Sequence, residues 1–183
     1  MEQTYYLIIM GALILEYVLS TTSAVLNMNS ITEAVPDGFH EYYDQEKYAK
    51  SQAYLKDKTR FGLISGLFSL LITLVVIHTG VFGILDELAR SNSSHTITAG
   101  LIFFGILFIL NDIINLPFSI YGTFVIEEKY GFNKTTVKTF LSDKLKGYGL
   151  TIVLGSMVII PVLYFFDSYG SNGWWIAWSL ITA

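Results

Sequence analysis

The 183-residue sequence has no cysteine, only three prolines and few charges. Without cysteine there is no disulfide and no thiolate metal site. With charged residues at 14% and hydrophobic residues at 52%, the chain leaves the soluble globular range and enters that of multi-pass membrane proteins. Gly-rich phosphate loops, the GxSxG elbow and paired metal-binding histidines are also missing. Nothing points to a nucleic-acid partner.

What is present is apolar sequence in bilayer-sized lengths. Stretches at 5–26, 61–85, 96–126 and 147–166 each approach the roughly 20 residues a spanning helix needs, and a fifth opens at 173 and ends at 183. Those last residues would rise only about 16 Å, half of a hydrocarbon core of about 30 Å. The expectation is therefore an all-α, multi-pass transmembrane bundle in one membrane domain over 1–183. It has four full spans and the start of a fifth, and belongs to a larger protein.

Basic residues set the expected orientation. Lys47, Lys50, Lys56, Lys58 and Arg60 precede the second span, and Lys129, Lys134, Lys138, Lys144 and Lys146 lie between the third and fourth; Arg90 alone lies elsewhere. This alternation puts loops 27–60 and 127–146 in the cytoplasm and the N-terminus outside, lumenal or periplasmic. The N-terminal Met-Glu-Gln-Thr lacks a basic n-region, so the first span is expected to be retained rather than cleaved as a signal peptide. The sequon Asn92-Ser93-Ser94 would face outward.

Several polar residues fall inside the spans. An acidic residue near a helix centre costs about 2.5 to 3.5 kcal/mol, whereas each Leu, Ile or Phe returns about 0.3 to 0.6. The third span, with thirteen such residues between Ile97 and Leu116, inserts despite Asp112, but Asp112 must not face lipid. Asn111, Asn115 and Ser119 recur every four residues on one stripe, with Asp112 beside it. Two readings stand: hydrogen bonding between helices, or the wall of a water-filled cavity. Glu16 is a lone carboxylate in the first span, and His78 reads as an interfacial or packing residue. Pro117 invites a kink, and Gly62-Leu-Ile-Ser-Gly66 has the GxxxG spacing that lets helices approach.

The inner loops look ordered. Val35-Pro36-Asp37-Gly38 supplies turn chemistry, and residues 41–60 lack Pro and Gly while carrying four tyrosines, as a helix lying at the headgroup level would. After a turn at Gly131, Asn133 is placed to cap a second helix with Val137, Phe140, Leu141 and Leu145 on one face. His40-Glu41-Tyr42-Tyr43-Asp44 stands one residue from HExxH, with Asp44 in place of the second histidine and no third ligand nearby. No catalytic centre is legible in this chain.

Three blocks carry a family likeness. Leu116 to Thr136, LPFSIYGTFVIEEKYGFNKTT, resembles the signature of the type I CAAX prenyl proteases, integral-membrane zinc metalloendopeptidases. Lys50-Ser51-Gln-Ala-Tyr54-Leu-Lys-Asp57-Lys58 resembles that family's first-loop pattern K-S-x-x-Y-x-x-D-K, and Phe140-Leu-Ser-Asp143 its F-x-x-D run. The resemblance implies a larger protein in which seven helices enclose a water-filled chamber. Its zinc site, of the HExxH type with a downstream Glu, would lie beyond the fifth span, so zinc is expected in the full-length protein and no catalytic or metal ligand falls here. Asn111, Asp112, Asn115, Ser119 and Glu16 would line the chamber. Lys50, Ser51, Tyr54, Asp57, Lys58, Glu127, Glu128, Lys129, Phe132 and Asn133 would form the cytoplasmic face toward the protease part. The implied partners are the bilayer, that C-terminal part and a prenylated or other peptide substrate. The alternative is a freestanding, non-enzymatic membrane protein used for binding or assembly. A transporter is disfavoured by the lack of an internal repeat.

Overall fold

The computed structural model describes residues 2–170 and 173–182; Met1 and Ala183, the two ends of the expected domain, lie outside them. The chain runs through α1 (Glu2–Asn29), α2 (Gln45–Thr79), α3 (Val81–Ser91) and α4 (Thr96–Tyr121). A π-helical turn (Gly122–Glu127) follows, then α5 (Val137–Tyr169) and α6 (Gly173–Thr182). Four stretches, Gln3–Asn29, Gln45–Thr79, Thr96–Glu127 and Val137–Tyr169, are long and apolar enough to cross a membrane. The fold is all-helical and multi-pass, with no strand among the described residues.

Three boundaries differ from the sequence expectation, each for a local reason. The helix expected to lie along the membrane over 41–60 is instead the first part of α2 from Gln45 onward, because nothing between Gln45 and Phe61 breaks it. The second span ends at Thr79 rather than at 85. Gly80 adopts φ 72°, a left-handed conformation that costs glycine little, and α3 begins after it. The third-loop helix and the fourth span are likewise one helix, α5. Its cap is not Asn133 but Thr136, whose extended backbone lets its hydroxyl accept from the Thr139 N–H at 3.2 Å.

The described residues form two compact units. The first holds the chain through Thr79 together with Leu116–Lys134. Here α1 meets α2 beside Gly66, the second glycine of the GxxxG spacing, while Gly62 faces open space: a Cβ added to Gly66 would sit 3.6 Å from the Tyr17 ring, and the Tyr17 hydroxyl donates to the Leu63 carbonyl at 3.4 Å. Tyr6 and His78 join the same helices through a 3.0 Å hydrogen bond. Phe118 and Tyr121 stack on α2 through Phe61 and Phe68, with ring centroids 4.9 to 5.9 Å apart. Ring contacts of this kind are worth about 0.5–1.5 kcal/mol beyond burial. α4 runs through Pro117 to Tyr121, and the π turn begins at Gly122.

The second unit holds Gly80–Asn115 and the chain from Thr135. Among the described residues its buried positions are Leu85 and Ala89 of α3 and Ala99 of α4. α4 and α5 touch at Gly100, where an added Cβ would lie 2.6 Å from Leu163 Cδ1. Elsewhere large apolar side chains such as Ile8, Leu15, Ile64 and Ile152 stand more than half exposed, as they must where the surrounding solvent is hydrocarbon.

Candidate functional site

The site is built on the polar first part of α2. Asp44 starts this helix, its Oδ1 accepting from the Lys47 N–H at 2.9 Å. The near-HExxH segment is therefore a turn and a cap, and His40 lies 3.9 Å from the Asp37 carboxylate. The preceding loop is folded onto the helix. Gln45 donates to the Glu33 carbonyl at 2.8 Å and accepts from the Val35 N–H at 3.0 Å, while Lys56 pairs with Glu33 at 3.3 Å.

A helix ending delivers the second half of the site. The Phe132 N–H donates to the Glu127 carbonyl and the Gly131 N–H to that of Glu128, both at 2.9 Å, and Gly131 has φ 67°. This pair of bonds around a left-handed glycine is a Schellman ending, which satisfies the last carbonyls and reverses the chain. The Glu128 carboxylate then accepts from the Asn133 amide at 3.0 Å.

The reversal brings together residues more than 70 positions apart. Lys50, Tyr54, Asp57 and Phe61 lie on one face of α2 at spacings of four, three and four. Asp57 Oδ2 accepts from both Lys129 Nζ, at 2.6 Å, and the Tyr130 hydroxyl, at 2.7 Å. The Tyr54 ring packs edge-on against Phe132 at 4.8 Å and Tyr130 at 5.5 Å. Lys50 Nζ lies over Phe132 at 5.8 Å, and Lys58 Nζ bonds the Tyr54 hydroxyl at 3.2 Å. Ser51 points back to its own helix, donating to the Tyr48 carbonyl. Tyr130 is buried at 8% exposure. The hydrogen bonds to Asp57, then to Tyr130, hold the Lys129 ammonium above its ordinary range. The bond to Asp57, then burial, pushes the Tyr130 phenol up.

In the second unit Asp112 meets α5. Lys144 Nζ lies 2.6 Å from its Oδ1 and the Tyr148 hydroxyl donates to its Oδ2 at 2.5 Å. Asn115 spends its amide on Asn111, at 2.8 Å to the carbonyl and 3.1 Å to the side chain. Asn111 and Ser119 are exposed. In the first unit Glu16 opens onto an α1–α2 groove of about 320 Å³ shared with Ser20, Thr21, Ser69 and Thr73.

Sequence reasoning left out Tyr130, Lys144 and Tyr148. The last two sit four apart on a helical face, a spacing that could have been read as a clamp for a carboxylate. Among the described residues no group of three His, Cys, Asp or Glu side chains could hold a metal ion, so zinc does not fit them. The arrangement carries binding and positioning chemistry: matched charges, an aromatic cluster and a fixed helix ending.

These features define an all-helical, multi-pass membrane domain whose polar helix extension is pinned to a distant signature segment. Residues 25–183 match the family model described as the CAAX prenyl protease N-terminal region with five membrane helices, and the chain belongs to that family. It is 36% identical over 161 residues to "Probable CAAX prenyl protease 1" of Schizosaccharomyces pombe, covering 81% of this chain and 34% of that protein. It is 32% identical over 154 residues to the human "CAAX prenyl protease 1 homolog", covering 80% and 32%. The crystal structure of S. mikatae Ste24p matches with a TM-score of 0.85 at 27% identity, over 97% of this chain and 43% of that one. The chain thus spans about a third of the length of the curated relatives it matches.

Proposed function

We propose that this chain forms part of the helical wall of a zinc-dependent CAAX prenyl endopeptidase, and that the α2–Schellman cluster presents the face on which the catalytic part of the full-length protein sits. The observation that carries this is the meeting of two family-like blocks, through Asp57 with Lys129 and Tyr130 and through Tyr54 with Phe132. Scaffold residues tied this way hold a rigid platform. Lys50, Lys58, Glu127 and Glu128 then supply its charged rim.

The zinc, the protease part and a prenylated peptide substrate belong to the full-length protein under this reading. Asn111, Ser119 and Glu16 are exposed polar side chains suited to a wetted chamber wall, while Asp112 contributes a charge matched by Lys144. Charge asymmetry supports a cytoplasmic location for 27–60 and 127–146, and so an N-terminus on the outer side.

A chimera tests the reading. This chain replaces the N-terminal third of the S. pombe relative, and the product is assayed for cleavage of a prenylated CAAX peptide. Cleavage is expected, with a strong loss when Asp57→Ala and Phe132→Ala are combined. A membrane-inserted, monodisperse chimera that cannot cleave overturns the reading.

A further inference from the structure

The first unit holds a groove lined by both charged and apolar side chains. It has a volume of about 260 Å³ and runs between α2 and the π turn. Arg60 and Lys129 stand at one end beside Asp57, and Ile64, Tyr121 and Val125 line the rest. The polar end and the apolar trough change over where the sequence does: α2 is charged up to Arg60 and apolar from Phe61, and the second wall is apolar up to Ile126 and charged from Glu127. Both walls therefore cross the headgroup level at the groove.

Charge selects among guests. Lys129 is committed to Asp57. Arg60 is exposed and acts on Asp57 only at longer range, with no ion pair or hydrogen bond among the described residues, so Asp57, Lys129 and Arg60 together leave the polar end one net positive charge. The trough residues are open, with Ile64 at 64% and Val125 at 46% exposure, so a chain entering from the surrounding lipid needs no rearrangement of the helices.

From this we infer that the groove binds one anionic glycerophospholipid, its phosphate at Arg60 and one acyl chain along Ile64 and Val125. A positive charge near an anionic lipid surface strengthens its attraction about fivefold. Guanidinium adds a planar donor fork that matches phosphate oxygens.

The test uses the purified chain in detergent and native mass spectrometry. Dioleoylphosphatidylglycerol is compared with dioleoylphosphatidylcholine, with free glycerol phosphate and a farnesylated C-terminal peptide as competitors. The expected result is one retained anionic lipid, weakened about fivefold by Arg60→Gln, largely kept by Arg60→Lys and unchanged by Arg90→Gln in the other unit. Val125→Asn, which leaves both cations in place, should weaken both lipids alike and covers the case in which Arg60→Gln loses its fold. Equal retention of the two lipids, equal loss in Arg60→Gln and Arg90→Gln, or displacement by glycerol phosphate overturns the inference. Displacement by the farnesylated peptide reassigns the groove to peptide and overturns it too. The readout involves no proteolysis, so its failure leaves the family function untouched.

Discussion

Removing the Asp57 carboxylate should expose how the two blocks are held. In Asp57→Ala the buried Tyr130 hydroxyl loses the acceptor that lies 2.7 Å away. A hydrogen bond to a charged group contributes about 1.5–3 kcal/mol, and the partial exposure of the carboxylate favours the lower end. The expected coupling between Asp57→Ala and Tyr130→Phe in a double-mutant cycle is therefore about 1.5 kcal/mol, more than tenfold in the folded-to-unfolded ratio. Lys129 is a different case. Its side chain is 61% exposed, so Lys129→Met should change stability little even though the pair measures 2.6 Å. The assay is reversible unfolding in mixed micelles by added SDS, followed by far-UV circular dichroism. A coupling below about 0.5 kcal/mol, the level at which independent sites add, would refute the claim that this oxygen pins the segment.

Further outcomes follow from the same geometry. Lys144→Met removes one of the two partners of the half-buried Asp112 carboxylate, leaving the Tyr148 hydroxyl, and should destabilise by about 1.5 kcal/mol; Asp112→Asn in the same chain should recover most of it, and equal stability of the single and double variants would contradict the pairing. Because the chain has no cysteine, single-cysteine labelling starts from a silent background: in sealed vesicles with the cytoplasmic side out, Asp37→Cys should react with an impermeant maleimide and Ser94→Cys only after permeabilisation, the reverse pattern inverting the topology. Lys129 and Tyr130 both have raised values relative to 10.5 and 10.0, so their contribution is complete below those values and is lost as pH rises through the folded ones. The SDS midpoint difference between the natural chain and Asp57→Asn should stay constant from neutral pH to about pH 9 and shrink in stronger alkali; shrinkage between pH 7 and 9 would count against the cluster.

Much of the architecture was legible because lipid imposes a simple code. Four apolar runs of sufficient length had to be helices, and the basic residues clustered at their ends. The boundaries were harder, since a membrane helix stops at a backbone event rather than at the last apolar residue. Gly80 ended α2 six residues before the hydrophobic run did, and the unbroken chain from Gln45 let α2 begin well outside it. Asn133 looked like a cap by type and position, but the Schellman ending used it to bond Glu128, and Thr136 took the role. The candidate site was readable as two separate blocks. Their juxtaposition was not, because only the fold brings Asp57 beside Tyr130, and the same holds for Asp112 with Lys144 and Tyr148.

The π turn at Gly122–Glu127 acts as a phase shifter. An α-helix advances about 100° per residue, and a π turn accommodates one residue more than an α turn, so everything after it is rotated by about that angle. Lys129 and Tyr130 owe their azimuth toward Asp57 to this surplus residue. The alignment of the signature segment is thus counted rather than spelled: its register depends on how many residues lie between Pro117 and Gly131. Substitutions along the turn leave that number alone, whereas losing a single residue there would swing both donors to another side of the helix.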